Sequence, residues 1–263
     1  MGANILTNIE GQIAVVTVNR PKSLNSLILE CFSELADAFD ACDKNEAVRA
    51  IVVTGAGKNF SSGGDLDMFQ DFLDNGYTFE QANSDVIEAS RMAIAMRQCK
   101  KPIVAAISGA CFGAGLSLAL ACDFRVIDPN VKMSTAFVNI GFSGDTGCIF
   151  ALEKMLGIAK MTELMMLGSV LDAEQIMGLG LASKMSEEGK SYETARGMAL
   201  KLAKGPTATY GLQKALIWEY FFKDYDAYSK IEAKYMGLST QKQDFAEAIS
   251  AFLEKRKPNF VGK

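Results

Sequence analysis

The stretch from Ile107 to Gly147, ISGACFGAGLSLALACDFRVIDPNVKMSTAFVNIGFSGDTG, constrains this chain more than any other. It opens on small residues, Gly109, Ala110, Gly113, Ala114 and Gly115. An apolar run, LSLALA, ends at Cys122-Asp123, and a second glycine-flanked turn then carries a single acid, Asp145. Glycine and alanine leave the backbone approachable, and a helix starting in such a run turns free N–H groups outward. Those groups lie at the positive end of the helix dipole and suit a developing negative charge. A carboxylate one turn away supplies proton chemistry. The stretch predicts an anion-stabilising backbone site with one acid beside it.

The flanking residues predict the frame that holds it. ILTNIEGQIAVVTVNRP reads as two short strands about Glu10-Gly11. SLNSLILECFSELADAFDACDKNE has apolar residues at 28, 32, 35, 36 and 39, a helical spacing, with Ser23 or Asn25 available as its cap. AVRAIVVTGAG reads as a buried parallel strand. The loop KNFSSGGDLDMF follows it directly, where α/β proteins commonly hold a ligand. A plain turn capped by Ser62 or Asp65 accounts for the same residues. Residues 66–98 read as helix with a break at LDNGYT, and KKPIVAAIS, DFRVID and MSTAF as strands. The remainder reads as helix over 148–157, 159–168, 172–179, 189–203 and 206–253. Strand–helix alternation to about 185 and helices alone thereafter predict an α/β core with a helical C-terminal extension.

Bulk properties exclude several function classes. A net charge of −4 argues against nucleic acid as the main partner. The six cysteines form no CxxC pair and read as buried free thiols. The N-terminal residues lack the pattern of a signal peptide, and no apolar run approaches the roughly 20 residues that span a bilayer, so a soluble, cytoplasmic protein without a membrane partner is expected. The chain has no histidine. That removes Ser-His-Asp and Cys-His nucleophile systems and His-based zinc sites, leaving acid/base work to Asp, Glu, Lys, Tyr or Cys.

Five segments in order, NRPKSLNSL, AVRAIVVTGAGKNFSSGGDLDMF, KPIVAAISGACFGAGLSLALACDFRV, ALEKMLGIAKMTELMMLGSVLDAEQIMGLGL and FLEKRKPNF, resemble the motifs of the crotonase superfamily, the enoyl-CoA hydratase/isomerase group. The resemblance implies a ClpP/crotonase-type α/β fold: a spiral of ββα units over 1–200, and a C-terminal helical region over 201–263 that serves trimerisation and covers the active site. It implies a homotrimer or homohexamer acting on an acyl-CoA thioester of fatty acid metabolism, with coenzyme A as part of the substrate and no metal or other cofactor. By position, the backbone N–H groups of Gly64 and Ala114 form the oxyanion hole for the thioester carbonyl. Coenzyme A contacts are implied for Lys22, Ser23 and Leu24, for Ser61, Ser62 and Gly63, and for Lys255 or Lys257 in the basic tail, the latter across a subunit boundary. Met68, Phe69, Phe72, Trp218 and Phe222 are implied as walls of the acyl pocket.

The departures from the family pattern bear on the reaction. Hydratases of the group use two glutamates; Ser117 and Phe137 stand at those positions here. Asp145 falls where some double-bond isomerases carry an acid. One carboxylate beside apolar residues such as Phe137, Ile140 and Phe142 can remove a proton and return it elsewhere. Asp145 is equally placed to cap the helix after Thr146. Asp65 reads as a support of the oxyanion loop, and Asp67, Asp71 and Glu88 as nearby acids. An enoyl-CoA isomerase is therefore expected. The alternatives are a hydratase, lyase or thioesterase on an unusual acyl-CoA, with Ser117 or Asp145 positioning water, or a silent acyl-CoA binder. An aryl-CoA dehalogenase-like activity, which also needs a histidine, is the remotest.

Overall fold

β-branched runs become the central strands of a six-stranded sheet in the computed structural model, which describes residues 3–263. β1 (Ile5–Glu10) pairs antiparallel with β2 (Ile13–Val18) across the turn at Glu10-Gly11. β3 (Ala50–Gly55), β4 (Ile103–Ile107), β6 (Phe124–Ile127) and β8 (Lys184–Met185) then add in parallel, in the order β1-β2-β3-β4-β6-β8. Both faces of the sheet are covered, which is why β3 and β4 are apolar at nearly every position. On one face Ile51, Val53, Ile103 and Ile107 pack with Leu35 and Phe39 of α1 (Leu29–Lys44) and with Met92 and Met96 of α3 (Phe79–Gln98). On the other, Val52, Val104 and Val126 meet Ala195, Ala199 and Ala203, a four-residue repeat along α7 (Ser191–Ala203).

A second, two-stranded sheet organises the site. β5 (Ala110–Phe112) pairs in parallel with β7 (Lys132–Ser134), so that Cys111 lies opposite Met133. On its other side Cys111 bridges in parallel to Ser61. The chain thus repeats one unit three times: a strand of the large sheet, a short segment of the small one, then a helix. β3 is followed by Ser61 and α2 (Leu66–Asp74), β4 by β5 and α4 (Ala114–Ala121), and β6 by β7 and then α5 (Cys148–Leu167). These are the ββα turns of a spiral. α4 is buried all round, as its apolar sequence requires.

Two expectations are corrected. β5 and β8 lie in segments that gave no strand signal. Neither Ser23 nor Asn25 caps α1, which begins after Ile28 without a side-chain cap. Asn25 instead is fully buried at φ 58° and donates through Nδ2 to the carbonyls of Ala56 and Asn59, tying the loop after β2 to the loop after β3. The stretch 148–167 holds two helical segments that meet at Gly157, whose φ of 73° is not helical, next to the break expected at 158.

Beyond α6 (Ala173–Gly178) and α7 lie α8 (Thr207–Phe221), α9 (Tyr225–Thr240) and α10 (Gln243–Leu253). α9 packs along α3, and α10 against α2. The tail folds back on α10, where Asp244 accepts from the N–H groups of Val261 and Gly262. Among the described residues no helix is long and apolar enough to cross a membrane.

Candidate active site

The parallel register of the small sheet sets two loops side by side. Ser61 lies opposite Cys111, and three residues further along each segment come Gly64 and Ala114. The loops touch: a Cβ on Gly63 would lie 2.8 Å from the carbonyl oxygen of Phe112, so only glycine fits. Among the described residues no backbone acceptor takes the N–H of Gly64 or of Ala114, the first residue of α4. Both N–H groups emerge at the carboxyl ends of neighbouring parallel segments, where α/β folds bind ligands.

The loop at Gly64 is held from below. Asp65 caps α2 by accepting from the N–H groups of Asp67 and Met68, and its other oxygen takes Arg20 at 2.8 Å and Ser26 at 2.7 Å. Burial alone would raise the Asp65 carboxyl. The bonds from Ser26, the Met68 N–H and Arg20 outweigh it and hold the group below its ordinary range. Asp65 is thus a structural support.

A pocket opens beside Gly64, lined by Met68, Phe69, Phe72, Tyr77 and Asp85 of the α2–α3 region, by Phe142 and Asp145, and by Met236 and Thr240 of α9. Phe142 packs edge-on against Phe69 at 4.9 Å and stacks on Phe245 of α10 at 4.7 Å. Asp145 is half-buried in this wall, and its carboxylate receives one hydrogen bond, from the Thr146 hydroxyl at 3.0 Å. Burial pushes its pKa up to about 6, against that single bond. Asp145 does not cap α5. The N-cap is Gly147, and the Gly147 N–H is taken by Glu232 of α9.

Glu232 is the acid that the sequence reading missed. It is buried, accepts the Tyr228 hydroxyl at 2.5 Å, and burial pushes it up to about 8. The legible signal was its spacing: Tyr225, Tyr228 and Glu232 fall three and four residues apart, on one helix face.

The remaining expected residues fall into four groups. Lys22 and Ser23 form a 3-10 turn, Pro21–Ser23, and the Leu24 carbonyl accepts from the Ser62 N–H, so the 22–24 loop adjoins the Ser61–Gly63 loop. Phe137 is buried at the start of a second 3-10 turn beside Gly113, and Ser117 donates to the carbonyls of Gly113 and Asp145. Neither lines the pocket. Trp218 and Phe222 line a different cavity with Arg97, Asp123 and Lys214, so they are not walls of this pocket within one chain. Asp67, Asp71, Glu88 and Lys257 also lie off the lining, Lys257 exposed on the tail. All six thiols are free and buried.

Comparison with known proteins bears on this arrangement. The sequence model described as enoyl-CoA hydratase/isomerase matches residues 8–263. Over 260 residues the chain is 30% identical to the trans-2-decenoyl acyl-carrier-protein isomerase of Streptococcus mutans, covering 98% of each chain. It is 32% identical to a probable enoyl-CoA hydratase of Bacillus subtilis, covering 95% of this chain and 96% of that one. An enoyl-CoA hydratase crystal structure from Mycobacterium avium superposes with a TM-score of 0.88 at 26% identity, covering 98% of this chain and 99% of that one.

Proposed function

The chain belongs to the enoyl-CoA hydratase/isomerase family, the crotonase superfamily, and we propose that within it this protein is a double-bond isomerase of enoyl thioesters that uses Asp145 as its acid/base. The observation that carries this reading is the half-buried Asp145 carboxylate, free of cap duty, in the pocket that opens beside Gly64.

The thioester carbonyl oxygen sits between the N–H groups of Gly64 and Ala114. Asp145 takes a proton from the carbon next to the carbonyl, or from the far end of the allylic unit, and charge moves onto the thioester oxygen. The two N–H groups stabilise that charge in the transition state. The same carboxyl then returns the proton at the other carbon, so one acid serves both steps and no water is consumed. A pKa near 6 leaves Asp145 ionised at neutral pH yet basic enough to work. Ser117 cannot easily direct water, because its hydroxyl proton is committed to backbone carbonyls. The acyl chain lies against Met68, Phe69, Phe72 and Phe142 under a cover formed by α9 and α10. The pantetheine and nucleotide run past Lys22–Leu24 and Ser61–Gly63, with Lys257 supplied by a neighbouring subunit.

The Streptococcus mutans relative is named for a carrier-protein thioester, so both carriers belong in the test. A 3-enoyl chain on coenzyme A or on acyl carrier protein yields the conjugated 2-enoyl thioester, followed by its ultraviolet absorbance. No turnover on either carrier sinks the isomerase. Incorporation of solvent oxygen-18 into product favours the hydratase reading, which the Bacillus subtilis relative keeps in view. Tight thioester binding without product leaves a silent binder.

Leu212, Leu216 and Tyr220 share one face of α8, each more than 65% exposed. An exposed apolar face of this kind suits subunit contact. Sedimentation equilibrium is expected to give a trimer or hexamer, and a monomer at micromolar concentration refutes that assembly.

A further inference from the structure

The mechanism above leaves one buried acid unemployed. Glu232 is 5% exposed, and its two oxygens lie 3.2 and 3.0 Å from the Gly147 nitrogen. The turn that it grips is a tense one. Thr146 and Gly147 are successive left-handed residues, at φ 50° and 80°, and the first carries a branched side chain that disfavours this region. A Cβ on Gly147 would come within 2.3 Å of the Tyr225 hydroxyl oxygen, so the second must be glycine. The N–H groups opening a helix need acceptors, and Asp145 is the residue in sequence best placed to provide one. Glu232 provides it from a helix far along the chain.

We propose that Glu232 is the positioning residue of this site: it fixes the Thr146–Gly147 turn through the Gly147 N–H and leaves the Asp145 carboxylate free to face the pocket. At neutral pH it is Glu232, of these two acids, that holds a proton. The proposal rests on Asp145 being the base.

Each group facing Glu232 bears on that proton. α9 itself contributes Tyr225 and Tyr228, the start of α5 contributes Cys148, the turn contributes Asp145, and α3 contributes Arg97 beyond Tyr225. Burial raises both tyrosines and the thiol, so all three are neutral. Burial also raises Glu232, first of all, to about 8, with Asp145 adding to the rise and the bonds from Tyr228 and Gly147 opposing it. Asp145 sits near 6. With Glu232 near 8 and Asp145 near 6, Asp145 is ionised and Glu232 protonated at neutral pH. Tyr225 carries the one buried side-chain polar atom without a partner among the described residues, its hydroxyl, beside the same turn.

The test compares Glu232→Ala, Glu232→Gln and Asp145→Asn in the isomerase assay from pH 5 to 9.5. Misplacing a catalytic group by about an ångström costs roughly 100-fold. Glu232→Ala is accordingly expected to lower kcat about 100-fold with KM held within about 3-fold, and Glu232→Gln, whose amide oxygen still accepts, to restore most of it. The wild-type profile is expected to show a limb near 6 and a second change near 8. Glu232→Gln removes only the second. In the substrate-free protein, carboxyl carbon-13 NMR should show one glutamate titrating near 8, a signal that the Gln variant lacks. Wild-type kcat in Glu232→Ala, a change near 8 that survives in Glu232→Gln, or a Glu232 titrating near 4.5 overturns the proposal. Should the Ala variant fail to fold, the Gln profile and the NMR titration decide alone. An inert Asp145→Asn with indifferent Glu232 variants defeats the positioning role only, whereas a fully active Asp145→Asn defeats the isomerase reading with it.

Discussion

Asp145→Asn is expected to lower kcat for double-bond migration about 1,000-fold while leaving thioester affinity within a few-fold. General acid/base catalysis typically contributes 100- to 10,000-fold, and the amide keeps the shape of the carboxyl while losing its proton chemistry. The same variant is expected to be more stable than wild type at pH 7. The folded pKa, about 6, lies above the ordinary 3.8, so the folded state holds the Asp145 proton more tightly than the unfolded chain does. The contribution is favourable below pH 4 and is lost as pH rises through 6. Two pH units correspond to about 3 kcal/mol, and partial access from the pocket reduces that to about 2 kcal/mol. Thermal melts of both proteins should therefore differ by several degrees at pH 7 and converge near pH 4. Full activity in Asp145→Asn, or a melting difference that ignores pH, contradicts the assigned role. In wild type, kcat should rise through about pH 6 as Asp145 ionises.

Ala114→Pro is expected to cost 100- to 1,000-fold in kcat with the fold intact. Ala114 is the first residue of α4, a position that accepts proline because its N–H makes no bond within the helix. The substitution deletes one backbone donor, and losses of that size follow the removal of one oxyanion-hole group. An unchanged far-ultraviolet circular dichroism spectrum with a collapsed kcat supports the role. A variant as fast as wild type removes Ala114 from the mechanism. Gly64 offers no equally clean test, since a Cβ there would lie 2.6 Å from the Phe69 ring and disturb the pocket wall as well.

The central strands were legible because Val15, Val52 and Val104 sit in β-branched runs that only a doubly covered sheet accommodates. β5 was illegible for the opposite reason. Ala110, Cys111 and Phe112 lie in a run of small residues with no strand preference, and they are extended only because Ser61 and Met133 flank them. The glycine loop at 62–65 and the lone acid Asp145 stood out by local chemistry, whereas Gly64 as a donor and Met68 as a pocket wall came only with the family resemblance. Trp218 and Phe222 could not be placed, because which cavity a C-terminal helix faces depends on how it packs on α3. Glu232 escaped for the same reason. Its spacing from Tyr225 and Tyr228 marks a shared helix face, but nothing local tells that the partner of that face is Gly147, 85 residues away.

The pairing of Ser61 with Cys111 bears on how such a protein diverges. The charge-stabilising groups assigned to it are main-chain atoms, which no substitution short of proline deletes. The pocket wall, by contrast, is built from side chains on α2, α3 and α9, and its central acid from a separate turn. Drift in one part leaves the other standing. Descendants of one ancestor can change their acyl group, or move their proton donor along the chain, while inheriting the same hold on a thioester oxygen.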